Sequence, residues 1–172
     1  MLQEVLNYSE SLHPTLDLWD VNQLIAAIYA SLRDDLELNR VQARLDLQPN
    51  LPLVKLDYKK ISYCLRNIIS NSLEAMPEGG RLEIATLQEG AEIVIRIGDD
   101  GPGMTPEMIR EVTAPFFSTK EEGSGLGLSL CARILEGHAA RFGIDSRQGR
   151  GTTFTIHLKT PGEEYHGTIA GS

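Results

Sequence analysis

The chain has 172 residues, of which 41% are apolar, and a formal net charge of −8. That length and apolar content suit one domain with its own core, and the acidic balance excludes a nucleic-acid surface, which needs clustered Lys and Arg. No apolar run approaches the ~18 residues of a membrane span, no signal-peptide pattern is present, and a cytoplasmic location is expected, although a larger parent protein could be membrane-anchored. Cys64 and Cys131 fall inside apolar helical patterns and read as reduced core thiols, not as a disulfide or metal pair.

In chain order, residues 1–13 carry Leu2, Val5 and Leu6 at helical spacing before Pro14, and read as the stump of a longer helix. Asp20 followed by Gln23 is a capping-box arrangement, and Val21, Leu24, Ile25, Ile28, Leu32 and Leu36 predict one amphipathic helix over 21–38. Val41, Ala43, Leu45 and Leu47 alternate as in a strand. Residues 57–76 predict a long helix buried through Ile61, Leu65, Ile68, Ile69, Leu73 and Met76. Its opposite stripe carries Asn67, Asn71, Glu74 and Glu78. A hairpin of strands 81–87 and 91–98 follows, then a short helix from Thr105-Pro106, with Thr as cap and Pro at the first position. A third main helix begins near Leu126, and strands at 140–146 and 152–159 close the ordered part.

About five strands and three main helices, with hairpins predominating, predict an α+β fold: a two-layer α/β sandwich with a mixed sheet covered on one face. The expected organisation is a helix end and linker over 1–19, one domain over 20–160, and a flexible tail over 161–172.

Two glycine clusters bracket a connection: Asp99-Asp100-Gly101-Pro102-Gly103-Met104 and Gly123-Ser124-Gly125-Leu126-Gly127-Leu128. Glycine admits close backbone approach, and a following helix N-terminus favours phosphate, so the pair reads as a lid over a small anionic ligand. The second cluster lacks the Gly-Lys-Ser/Thr ending of a Walker loop. Asn67 and Asn71 are poor helix formers one turn apart, which fits either hydrogen bonds to a neighbouring loop or a hard cation such as Mg²⁺ held by carbonyl oxygens, with Glu74 positioning water. Asp99 ends a strand of alternating isoleucines. It either starts an Asp-Gly turn or offers its carboxylate to an adenine amine. Lys120 is either a solvated loop lysine or the cation placed to reach a terminal phosphate.

Taken in order, Asn67 to Met76, Asp99 to Met104, Pro115-Phe116-Phe117-Ser118-Thr119-Lys120, Gly123 to Leu128 and Gly149-Arg150-Gly151-Thr152-Thr153-Phe154 resemble the five boxes of the ATP-binding catalytic domain of sensor histidine kinases. The nitrogen-regulation and sporulation kinases are the most similar subtype, within a superfamily that includes gyrase, a heat-shock chaperone and MutL. The resemblance spans about residues 20–159. It implies a Bergerat-type ATP-binding fold and transfer of the ATP γ-phosphoryl to a histidine. By residue, it implies that Asp99 binds the adenine amine, that Gly101, Gly103, Met104 and Ala75 line the base pocket, and that Thr153 supports Asp99 through water. Asn71 would be the principal Mg²⁺ ligand, with Asn67 and Glu74 assisting. Lys120, Gly123, Ser124 and the backbone of Gly125, Leu126 and Gly127 would hold phosphates.

None of His13, His138, His157 and His166 is followed by an acidic residue, so none fits a phosphoacceptor. The implied partners are a dimerisation domain carrying that histidine and a downstream response-regulator receiver domain. The alternatives are a nucleotide-binding scaffold without catalysis, or an ATPase or serine kinase of the same superfamily. Those ATPases place a water-activating glutamate where this chain has Asn67.

Overall fold

The computed structural model describes residues 14–114 and 126–161. Lys120, Gly123, Ser124, Gly125 and the phenylalanine pair lie outside the described residues, as do the expected helix end and tail.

The strands are β1 (Asp17–Trp19), β2 (Val41–Leu47), β3 (Val54–Leu56), β4 (Gly80–Glu89), β5 (Glu92–Asp99), β6 (Arg141–Arg147) and β7 (Gly151–Lys159). The helices are α1 (Val21–Ser31), α2 (Arg33–Leu38), α3 (Tyr58–Ala75), α4 (Pro106–Glu111) and α5 (Gly127–Gly137). Five strands form one mixed sheet in the order β2-β4-β5-β7-β6, with β2 parallel to β4 and every other pair antiparallel. The expected α+β two-layer sandwich is therefore present.

Two elements escape periodicity. β1 and β3 pair as a separate antiparallel ribbon, and three-residue strands are too short to show alternation. The single helix expected over 21–38 breaks at Leu32, whose φ of −104° and ψ of 6° leave the helical basin. There Ser31 Oγ donates to the Ile28 carbonyl at 2.6 Å, and the Leu32 N–H is shared between Ile28 and Tyr29. A hydroxyl that competes for backbone carbonyls ends the α1 ladder although the apolar stripe continues.

One face of the sheet is the core. Val41, Leu82, Ile84, Ile93, Ile95, Ile97, Phe154, Ile156 and Leu158 are buried there, beneath Ile61, Leu65, Ile68 and Leu73 of α3 and Leu130, Ile134 and Leu135 of α5. Side chains alternate along β5, so the face that buries Ile93, Ile95 and Ile97 also receives Asp99. A carboxylate thus takes the next place in a row of isoleucines, between sheet and α3.

The two helices that flank it are pinned at their far ends. Asp57 caps α3, accepting from the Lys60 N–H at 3.1 Å, and also receives the Thr15 N–H at 3.0 Å. The Asp57 N–H donates to His138 Nε2 at 3.0 Å, while His138 Nδ1–H donates to the Ile134 carbonyl at 2.7 Å. These contacts specify the neutral Nδ1–H tautomer and a structural role for His138. Burial pushes the Asp57 carboxyl up, but the two backbone donors and the Lys60 charge outweigh it and leave it below 3.8. A depressed carboxyl contributes stability above its unfolded value that is lost as pH falls through the folded one. Asp57→Ala should therefore destabilise the chain by about 1 kcal/mol at pH 7, and urea melts repeated below pH 3.8 should show that difference shrinking.

Candidate active site

The site lies between the C-terminal half of α3, the end of β5 with the loop that follows, the β6–β7 hairpin and the first turn of α5. Asp99 is half-buried at its centre. Ser72 Oγ donates to Asp99 Oδ2 at 2.9 Å and the Gly101 N–H to Oδ1 at 3.0 Å, with the Thr152 backbone as a further donor. Burial nevertheless dominates and, helped by the neighbouring Asp100 charge, raises the Asp99 carboxyl above its ordinary value. A carboxylate kept in a desolvated place against its own preference is a functional-site signature.

Gly101 keeps that carboxylate reachable. A Cβ there would sit 2.9 Å from Asp99 Oδ1 and 3.4 Å from the Ala75 Cβ, filling the gap between Asp99 and α3. Gly103 has φ +67°, and a Cβ on it would overlap the Arg147 carbonyl oxygen, so only glycine lets the loop lie on the hairpin. The loop is stitched there by the Gly149 N–H to the Pro102 carbonyl at 2.6 Å and the Met104 N–H to Ser146 Oγ at 2.8 Å. Asp100 faces away from the site. It is held by the Arg81 backbone N–H at 2.7 Å and the Arg81 guanidinium at 3.1 Å, contacts that lower its carboxyl.

Thr153 is not brought to Asp99. In the antiparallel register Thr152 lies opposite Asp99 and Thr153 opposite Gly98, so Thr153 projects to the other face of the sheet. Its Oγ1 would lie 3.3 Å from a Cβ on Gly98. The threonine on the Asp99 face is Thr152, buried and 2.9 Å from Ser146 Oγ. A Thr-Thr pair gives no parity by itself; the pairing partner decides it.

On α3, Asn67 and Asn71 are half-buried and face the site. Asn71 Nδ2 donates to Asn67 Oδ1 at 3.2 Å, and the Cys131 thiol approaches the same oxygen at 3.8 Å. Glu74 is exposed on the same helix. Glu78 lies beyond the helix end, in a shallow surface groove with Arg40, Arg81 and Asp100, and does not join the site. Leu126 is buried as the residue before α5, and Gly127 begins that helix against the Asn67 amide.

Ser72 and Thr152 are site residues that the sequence pattern does not single out. Ser72 falls on a helix stripe otherwise occupied by apolar residues, and a buried serine there is the signal that could have found it. Ser72→Ala removes the only side-chain donor to Asp99 among the described residues. It should raise the Asp99 carboxyl further and weaken nucleotide binding about 5-fold, roughly 1 kcal/mol. Isothermal titration with ATP, with the Asp99 carboxyl followed by NMR, checks both.

Comparison with known proteins bears on the family and the fold. Residues 56–162 match the family described as histidine kinase-, DNA gyrase B- and HSP90-like ATPase. The chain is 31% identical over 163 residues to sporulation kinase C of Bacillus subtilis, covering 92% of this chain and 37% of that protein. It superposes on full-length ShkA in complex with AMPPNP with TM-score 0.84 at 18% identity, over 93% of this chain and 35% of ShkA. It also superposes on histidine kinase ThkA in complex with the response regulator TrrA, with TM-score 0.80 at 22% identity, over 95% of this chain and 47% of ThkA. The chain spans about a third of the length of the curated relatives it matches. Among the described residues no helix is long and apolar enough to cross a membrane. The matched span starts at Leu56, the last residue of β3, and runs past the end of β7, so it takes in every element that builds the site. On that match the chain belongs to the histidine kinase-, DNA gyrase B- and HSP90-like ATPase family.

Proposed function

We propose that the chain is the ATP-binding catalytic domain of a cytoplasmic sensor histidine kinase, comprising residues 20–160, which passes the γ-phosphoryl of ATP to a histidine on a dimerisation domain. The observation that carries this reading is Asp99, a desolvated carboxylate at an isoleucine position with Gly101 leaving its oxygen accessible. A buried anionic acceptor selects a ligand with a matched donor, and the adenine amine is such a donor. Gly101 and Ala75 flank that position, and the loop at Gly103 and Met104 closes one side.

The donor set fits Mg²⁺ in a limited way. Amide oxygens are hard ligands, yet among the described residues no trio of His, Cys, Asp or Glu could hold a metal alone. The chain would supply one or two ligands and the phosphates the rest, as Mg²⁺ prefers. Asn71 is the principal ligand in this reading, with Asn67 and Glu74 beside it. When bound, the ion would neutralise charge on the β and γ phosphates. Lys120, Gly123, Ser124 and Gly125 are assigned to the phosphates by their place in the sequence, followed by the backbone of Leu126 and Gly127 at the start of α5.

The chain's contribution is positioning and electrostatics. A neutral imidazole nitrogen of the acceptor attacks the γ-phosphorus, the bond to the β,γ-bridging oxygen breaks, ADP leaves, and the imidazole proton passes to solvent. No residue of this chain need act as a base. Asn67 occupies the place of the water-activating glutamate of the ATPase relatives, and an amide does not activate water. The phosphohistidine would then serve a response regulator; ThkA, which shares this fold, forms such a complex.

Adding a purified dimerisation hairpin and labelled ATP should yield acid-labile phosphohistidine on the hairpin. ATP binding without phosphohistidine would favour a scaffold, and steady ADP release by the chain alone would favour an ATPase.

A further inference from the structure

The Asn67 amide is committed on three sides. Its Oδ1 accepts from Asn71 Nδ2 at 3.2 Å. The Cys131 thiol, on the facing side of α5, lies 3.8 Å from the same oxygen. Its face packs on Gly127, where a Cβ would overlap Nδ2 and lie 2.7 Å from Oδ1. Cys64 and Cys131 face each other behind it, each thiol 3.9 Å from the other's backbone carbonyl, so the wall that supports Asn67 is fully buried. A carbonyl oxygen that accepts from an amide and faces a thiol has its lone-pair directions turned away from a cation. An amide has one acceptor end and one donor end. With Asn71 Nδ2 directed at Asn67, the acceptor end of Asn71 is set by that bond.

We infer that Asn67 is a positioning residue, not a metal ligand: it fixes which way the Asn71 amide points, and it makes that orientation depend on the seating of α5 at Gly127. This deepens the proposed function and rests on it. Outer partners that orient a ligand typically change metal affinity 10–100-fold when removed. Asn67 would thus join the phosphate end of the site, at the start of α5, to the metal end, on α3. The contact needs the absence of a side chain at Gly127, which gives that glycine a reason beyond phosphate approach.

The test uses the whole 172-residue chain and a fluorescent ATP analogue, titrated in EDTA, in Mg²⁺ and in Cd²⁺. Asn67→Ala should weaken binding about 10-fold in Mg²⁺, and leave binding in EDTA within about 2-fold of the parent. Gly127→Ala should cut the gain in affinity from EDTA to Mg²⁺ to a similar degree by displacing the Asn67 amide, apart from any loss it causes in EDTA through the phosphate contacts. The double variant should lose no more of that Mg²⁺ gain than Asn67→Ala alone, since the two changes act through one contact. For Asn71→Cys, a thiolate in a ligand position, Cd²⁺ should restore the affinity lost in Mg²⁺. For Asn67→Cys it should not. Recovery of Asn67→Cys by Cd²⁺ would overturn the inference and make Asn67 a ligand, and additive losses in the double variant would overturn its coupling to α5. A parent chain with no nucleotide affinity in any of the three conditions would overturn the ATP-binding reading itself. A parent that binds in EDTA but gains nothing from Mg²⁺ would overturn the metal role of Asn71 and this inference with it. Melting temperatures of all variants within a few degrees of the parent separate these outcomes from misfolding.

Discussion

Asp99→Asn should weaken ATP binding by about 100-fold or more while leaving the ligand-free chain at least as stable as the parent at pH 7. The two effects come from one cause. A charge-assisted hydrogen bond to the adenine amine contributes about 1.5–3 kcal/mol, and an asparagine that turns its NH₂ toward that amine opposes donor to donor. Together these exceed the ~2.8 kcal/mol that a 100-fold change requires. Stability runs the other way because burial raises the Asp99 carboxyl. A carboxyl whose folded value lies above its unfolded one contributes stability below the unfolded value, and that contribution is lost as pH rises through the folded value. At pH 7 the ionised Asp99 is therefore a net cost, and the amide removes it. The Ser72 hydroxyl can turn from donor to acceptor, so the substitution leaves that contact in place. Urea melts at pH 7 and near pH 4, beside a nucleotide titration, give both halves. A ligand-free variant more than about 1 kcal/mol less stable than the parent at pH 7, the size of an ordinary hydrogen-bond loss, would mean that the carboxylate serves the fold and not the ligand.

Among the described glycines outside the ligand pocket, Gly151→Ala should be the most damaging single substitution. Gly151 opens β7 with φ +86°, and a Cβ there would overlap the Asp99 carbonyl oxygen and lie 3.0 Å from the Asp100 Cα. Both objections are to backbone atoms, which cannot rotate away as a side chain would. The positive φ costs an alanine about 1–3 kcal/mol, and forcing β5 and β7 apart adds a packing loss of similar size. A total near 3–4 kcal/mol corresponds to a fall in melting temperature of roughly 6–16 °C for a chain of this length. The shift should carry Asp99 with it, so nucleotide affinity should fall even in the fraction that stays folded. Gly149→Ala is the control. It also has positive φ, +75°, but no atom lies within 4 Å of its added Cβ, so only the backbone term applies. Equal melting losses for the two would show that close approach at Gly151 is not what matters.

The main architecture is readable in the sequence because its elements are long and their periods distinct. The stripe Ile61, Leu65, Ile68 and Leu73 and the alternation Ile93, Ile95 and Ile97 each bury as their spacing requires. The break at Leu32 is not readable this way. The apolar pattern runs through it, and a single hydroxyl at Ser31 decides against the continuous helix. Site residues divide along the same line. Asp99, Asn67 and Asn71 announce themselves as polar residues where regular elements would place something else. Ser72 hides in a helix as a small residue, and its importance appears only when β5 is laid beside α3. Thr152 and Thr153 are equivalent until β7 is registered against β5. What the pattern of types along the chain omits is pairing between distant segments, and the ligand pocket is made of such pairings.

The β5–β7 pairing has a consequence for how the protein is made. Asp99 sits at the end of one strand, yet its neighbour Thr152 and the carbonyl of Arg147 that seats Gly103 come roughly fifty residues later. Synthesis proceeds from the N-terminus, so α3 and β5 leave the ribosome with the Asp99 side of the site still missing its wall. A ligand held at Asp99 would stabilise only a chain whose last hairpin has emerged and paired. On the proposed function, ATP would give no help to the early stages of folding and would act as a clasp on the finished domain.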